Sequence, residues 1–188
     1  MEKLQTKATV LIIPGLRDHV ENHWQTILEN RLANVRSVKP LDSDKLNCSK
    51  RVEAIQAQLK LIDGPVILVA HSAGVLMTLH WAAKYLHNIK GALLVTPPNL
   101  DQPWPENYPS PTTLEAEGWS PLPNQTLPFK SIVAASTNDA LSNYEAVEQM
   151  AKCWGSELIN LGAVGHLNPA SGFGPWHLSE DLIRQLDN

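Results

Sequence analysis

Two short runs, "VILVA" at 66–70 and "GALLV" at 91–95, are apolar at nearly every position. A strand with one face in water alternates apolar and polar residues. A strand that is apolar throughout has both faces covered. The chain therefore needs layers on both sides of a sheet, and helices are the usual cover for parallel strands. The remaining β-like runs are "TVLIIP" (9–14), the weaker "VRSVKP" (35–40), "SIVAAS" (131–136) and "ELINLG" (157–162). Between them lie stretches of helical spacing: 23–35, 50–62, 74–87, 143–155 and 178–188. Gly155 marks the end of the fourth, and Ser179 is the expected cap of the last. Strand and helix alternate nearly throughout, so the reading is an α/β fold, a parallel sheet with helices on both faces.

A length of 188 residues suggests one domain, 1–188, large enough to bury a core without metal or disulfide support. Apolar residues make up 43% and charged residues 18%, which excludes a disordered chain. Net charge is −4 and no basic stripe appears, so no nucleic-acid partner is expected. No apolar stretch approaches membrane-spanning length and the N-terminus lacks a signal pattern. Cys48 and Cys153 are too few for a disulfide framework and read as free thiols. The expected setting is cytoplasmic, with no membrane partner.

The turn after "VILVA" reads "HSAGV", and a helical run follows. Ala70 and Gly74 flank Ser72 two positions away on each side. A serine on a sharp strand-to-helix turn needs small residues there, because a larger side chain would strike the neighbouring strand or helix. The spacing A-x-S-x-G varies the usual G-x-S-x-G. The plain alternative is a tight turn capped by serine. A serine nucleophile requires a base, and the base an orienting acid, in the order Ser, Asp or Glu, His on this architecture. Asp139 follows "SIVAAS" and His166 follows "ELINLG", both at C-terminal strand ends where ligands bind in open α/β sheets. Asp101, after the "GALLV" strand, is the rival acid. An oxyanion hole needs two backbone donors: Ala73 N–H after the serine, and Leu16 N–H after the first strand, where Gly15 lets the backbone approach.

Residues 97–128 break the rhythm. They hold nine of the fourteen prolines, together with Trp104, Tyr108 and Trp119. So long an excursion at a ligand-binding strand end is a candidate pocket wall; the alternative is a proline-stiffened cover for the sheet. Arg17, His71, Trp104 and Trp119 are the candidate pocket residues. For the Arg17 side chain, contact with an anionic substrate group competes with a surface ion pair to Asp18 or Glu21. His19 and His23 have four-residue spacing, but "HVENH" is not H-E-x-x-H and no third ligand is apparent, so no metal site is assigned.

The stretches "PGLRDHVENHWQ", "AHSAG", "STNDALS" and "GHLNPASGFGPW" together resemble the small α/β-hydrolases of the retinoblastoma-binding protein 9 type, the YdeN-like serine hydrolases. The resemblance runs from about Val10 to the C-terminus. It implies an α/β-hydrolase fold, with about six mostly parallel strands and no large cap domain, Ser72, Asp139 and His166 as catalytic triad, and no cofactor. The expected activity is cleavage of a small carboxylic ester or related acyl substrate through an acyl-enzyme. A protein-binding module that keeps the fold without the chemistry is the competing class. The protein partner of such a module is unknown.

Overall fold

The computed structural model describes residues 3–188. Its sheet has six strands: β1 (Thr9–Ile13), β2 (Val35–Ser37), β3 (Val66–His71), β4 (Ile89–Val95), β5 (Ser131–Ala135) and β6 (Glu157–Asn160). They lie in the order β2-β1-β3-β4-β5-β6, and every neighbouring pair is parallel. The helices are α1 (Trp24–Arg31), α2 (Cys48–Leu59), α3 (Ala73–Lys84), α4 (Pro111–Ala116), α5 (Tyr144–Trp154) and α6 (Leu178–Asp187).

The two-residue period of the strands sorts the core into two layers. Leu11, Ile13, Leu68, Ala70, Leu94 and Val133 face α2, α3 and α5. Val10, Ile12, Ile67, Val69, Leu93 and Ile132 face α1 and α6. The fully apolar "VILVA" and "ALLV" runs are therefore central strands covered on both sides. At the sheet edge, β6 has no fully buried position: Glu157 and Asn160 at its ends are exposed, and Leu158 and Ile159 between them are half-buried.

After β1 the chain moves to one side of the sheet, then returns as β3 on the other. The strand order reverses between β1 and β3, and the carboxyl ends of those two strands border a crevice. Gln25, buried in the first turn of α1, fastens this point by donating to the carbonyls of Ile13 (3.2 Å) and Val69 (3.0 Å).

Two local readings are corrected. Ser179 does not cap α6: His177 stands at that position, and Ser179 Oγ donates back to the Trp176 carbonyl at 2.6 Å. Within the proline-rich segment a short helix, α4, forms where Ser110 accepts from Thr113 N–H and Pro111 occupies the first turn. Among the described residues no helix is long and apolar enough to cross a membrane.

Candidate active site

Ser72 sits between β3 and α3 with φ 57° and ψ −130°, a conformation L-residues rarely adopt. The surroundings show why it persists. A Cβ on Gly74 would lie 2.3 Å from the Ile13 carbonyl oxygen and 2.8 Å from that of Pro14. Only glycine lets the start of α3 press this close to the end of β1. On the other side Ala70 is completely buried in β3, opposite Ile13 and Leu94. The serine side chain is thereby lifted out of the sheet plane into the crevice.

Ser72 Oγ lies 2.8 Å from His166 Nε2, and His166 Nδ1 lies 2.7 Å from Asp139 Oδ2. A carboxylate only accepts, so Nδ1 carries the proton and Nε2 turns a lone pair to the serine hydroxyl. Asp139 is held in turn by the Leu141 N–H, which donates to Oδ1 at 2.9 Å. The Asp139 and His166 side chains are both buried.

The His166 loop is braced from its own sequence. His166 N–H donates to Ser171 Oγ (3.1 Å), and Ser171 Oγ donates to Asn168 Oδ1 (2.9 Å). Asn138 Oδ1 accepts from Gly165 N–H at 2.6 Å, tying the loop to the one that carries Asp139. Gly165 has φ 58°, and a Cβ there would sit 2.6 Å from Ser171 Oγ. The "GHLNPAS" stretch thus has a physical reading that its spacing alone does not reveal.

Two further histidines stand behind this pair. His71 donates through Nε2 to the His166 carbonyl (2.9 Å), and its ring centre lies 5.0 Å from that of His166 and 4.6 Å from that of His23. Burial, then the nearby His166 and His23, holds His71 well below the ordinary histidine value. Burial, with a smaller effect of His166, lowers His23 to about 4. Both rings are therefore neutral near pH 7.

The crevice has a volume of about 320 Å³. Leu16 and Ala73 line it beside Ser72. Ala73 opens α3, so its N–H is one of the first-turn donors without an intrahelical partner. Leu16 lies in a turn closed by Asp18 N–H on the Gly15 carbonyl. Arg17, His71 and Trp104 also line the crevice, as does Tyr108.

Trp119 does not. It is fully buried between α2, α3 and α4, with its indole N–H on the Leu46 carbonyl at 2.7 Å, and belongs to the core. Asp101 is exposed and outside the crevice lining. Asp18 does not pair with Arg17 either. Its carboxylate is taken by Arg51, a buried residue of α2 that also donates to the carbonyls of Leu16 (3.3 Å) and Lys45 (2.6 Å). Arg51 thus fastens the loop after β1, a role that its place beside Lys50 in the sequence does not reveal.

A family model described as serine hydrolase matches residues 10–185. The chain belongs to the serine hydrolase family. Among solved structures, a protein described as a YdeN-like hydrolase from Pectobacterium atrosepticum is 28% identical, with a TM-score of 0.81 over 96% of this chain and 90% of that one. The ydeN gene product of B. subtilis is 18% identical, with a TM-score of 0.75 over 96% and 98%. Est1E from Butyrivibrio proteoclasticus is 14% identical, with a TM-score of 0.68 over 98% and 87%. No curated protein matches by sequence. The architecture is that of the α/β-hydrolases, without a large cap, and the YdeN-like resemblance read from the sequence agrees with it.

Proposed function

We propose that this serine hydrolase cleaves a small carboxylic ester through an acyl-enzyme. Ser72 is the nucleophile, His166 the general base and Asp139 the group that fixes the imidazole tautomer. The observation that carries the reading is the unbroken hydrogen-bonded chain from Asp139 through His166 to Ser72, ending in the crevice.

In the first half-reaction Ser72 Oγ attacks the ester carbonyl carbon while its proton passes to His166 Nε2. The carbonyl oxygen takes up negative charge and receives hydrogen bonds from the N–H groups of Leu16 and Ala73. The imidazolium faces the Asp139 carboxylate. As the tetrahedral intermediate collapses, the ester C–O bond breaks and the leaving alkoxide takes the proton from Nε2. Water then repeats the sequence on the acyl-serine: its proton goes to Nε2, the acid departs, and Ser72 Oγ recovers its hydrogen. The neutral pair His71 and His23 supports this cycle, because no second positive charge opposes the imidazolium.

The size of the crevice suits a small molecule. Stopped-flow hydrolysis of p-nitrophenyl butyrate tests the reading. An acyl-enzyme predicts a burst of nitrophenol approaching one equivalent of enzyme before the slower steady state. Absence of any turnover by the folded protein would contradict it.

A further inference from the structure

The crevice carries more positive charge than ester hydrolysis requires. Its lining includes Arg17, Lys45 and Arg51 against one acid, Asp18, and that acid is already paired with Arg51. This stands out in a chain whose net charge is −4. Arg17 and Lys45 are exposed, and neither forms a salt bridge among the described residues. Arg17 is nonetheless placed: its guanidinium lies 5.6 Å from the centre of the Tyr108 ring. Tyr108 in turn meets the His166 ring edge-on at 6.5 Å. The aromatic ring holds the cation at the crevice mouth near the reacting atoms, with its donors unspent on any carboxylate among the described residues.

We propose that the substrate is an ester bearing a carboxylate or other small anion, recognised by Arg17 with help from Lys45. This rests on the reading of Ser72 as the nucleophile. Arg51 takes no part in binding, because it is buried, its charge is matched by Asp18, and each of its three nitrogens already donates within the protein. An exposed guanidinium keeps its solvation until the ligand arrives, and its fork matches a carboxylate in two parallel hydrogen bonds.

The test uses two matched pairs of esters that differ only in charge. Mono-p-nitrophenyl adipate is compared with the corresponding adipamide ester, which places the charge on the acyl side. 4-Acetoxybenzoate is compared with 4-acetoxybenzamide, which places it on the leaving group. Each kcat/KM is normalised to the uncatalysed rate. The expected result is a preference of roughly tenfold or more for the anion in at least one pair, the range of a hydrogen bond to a charged group. That preference shrinks as salt is raised and falls towards unity in R17Q/K45Q, whose circular-dichroism melt reports folding. A ratio at or below one in both pairs, with the neutral esters still turned over in a Ser72-dependent way, overturns the anionic substrate and leaves the hydrolase standing. A preference that survives in folded R17Q/K45Q overturns the assignment to these two residues. Failure to turn over any of the four esters, joined to no labelling of Ser72 by a fluorophosphonate, removes both readings.

Discussion

Ser72, His166 and Asp139 come from three strand ends but share one chain of hydrogen bonds, so their contributions to rate should not add. Ser72→Ala and His166→Ala should each lower turnover by up to about 10⁶, and the double variant should be little slower. Asp139→Asn keeps the shape while permitting the wrong imidazole tautomer, and should cost about 10⁴. Asp101→Asn should be silent, because Asp101 lies outside the crevice. Steady-state kinetics on the five variants checks all of this, and additive losses would break the link between base and nucleophile. These three residues were legible because residue type, order and strand-end position coincide. Arg51 was not, because its partners Asp18 and Leu16 lie more than thirty positions away and no local pattern brings them together. A second prediction concerns acid. His23 is held at about 4 when folded, against about 6.5 when unfolded. Between those values the unfolded chain binds a proton that the folded chain refuses. Stability from this group is complete above about pH 6.5 and declines as pH falls towards 4, by up to about 3 kcal/mol. His23→Asn keeps a capping acceptor at the start of α1 and removes the titration. Its Tm should fall less steeply across that window than the wild type's, and parallel curves would contradict the assignment.

The elbow depends on how closely α3 approaches β1. Helix propensity alone would make Gly74→Ala stabilising by up to about 1 kcal/mol. The added methyl would meet two backbone carbonyls that have no room to retreat. Sterics should win, with a loss of about 1–3 kcal/mol in urea unfolding and a displaced Ser72. A gain in stability would show that the contact yields. The proline-rich segment divides into two parts with different jobs. Trp104 borders the crevice, whereas Trp119 fills the core beneath α4. Trp104→Ala should therefore change the relative kcat/KM of short and long p-nitrophenyl esters by roughly 1–3 kcal/mol of discrimination. Trp119→Ala should instead lower stability by about 3–5 kcal/mol and leave the ranking unchanged. Sequence could not separate the two tryptophans, because an aromatic between prolines has the same pattern facing a ligand or a core. The α4 helix was missed for a related reason: six residues are too few for a period, and Ser110-Pro111 reads equally as a turn. The central strands were legible because burial on both faces leaves no polar position in them. The α6 cap was misread because a serine near a helix start accepts or donates according to backbone geometry that composition does not carry.

At the scale of the molecule, the parallel sheet, the reversal of strand order between β1 and β3, and the crevice at their carboxyl ends follow from one another. The sheet brings residues 15, 72, 139 and 166 to one edge. The loops then decide what the edge can accept, and their charge and lining are the part a linear reading reached least. Arg17 illustrates this: pairing with Asp18 or Glu21 was the plainer expectation, and only the fold shows that Arg51 has claimed the Asp18 carboxylate and that Arg17 makes no salt bridge among the described residues. The central claim is that this edge presents Ser72 as a nucleophile that forms a covalent acyl intermediate. Its most direct test is a fluorophosphonate, which captures an activated serine whatever the natural substrate. The protein and Ser72→Ala are treated with the probe, weighed intact and mapped by peptide mass spectrometry. The account predicts one adduct per chain, located on Ser72, and none on a Ser72→Ala protein with an unchanged melt. A folded wild-type protein that takes up no probe, or an adduct that persists in Ser72→Ala, would contradict it.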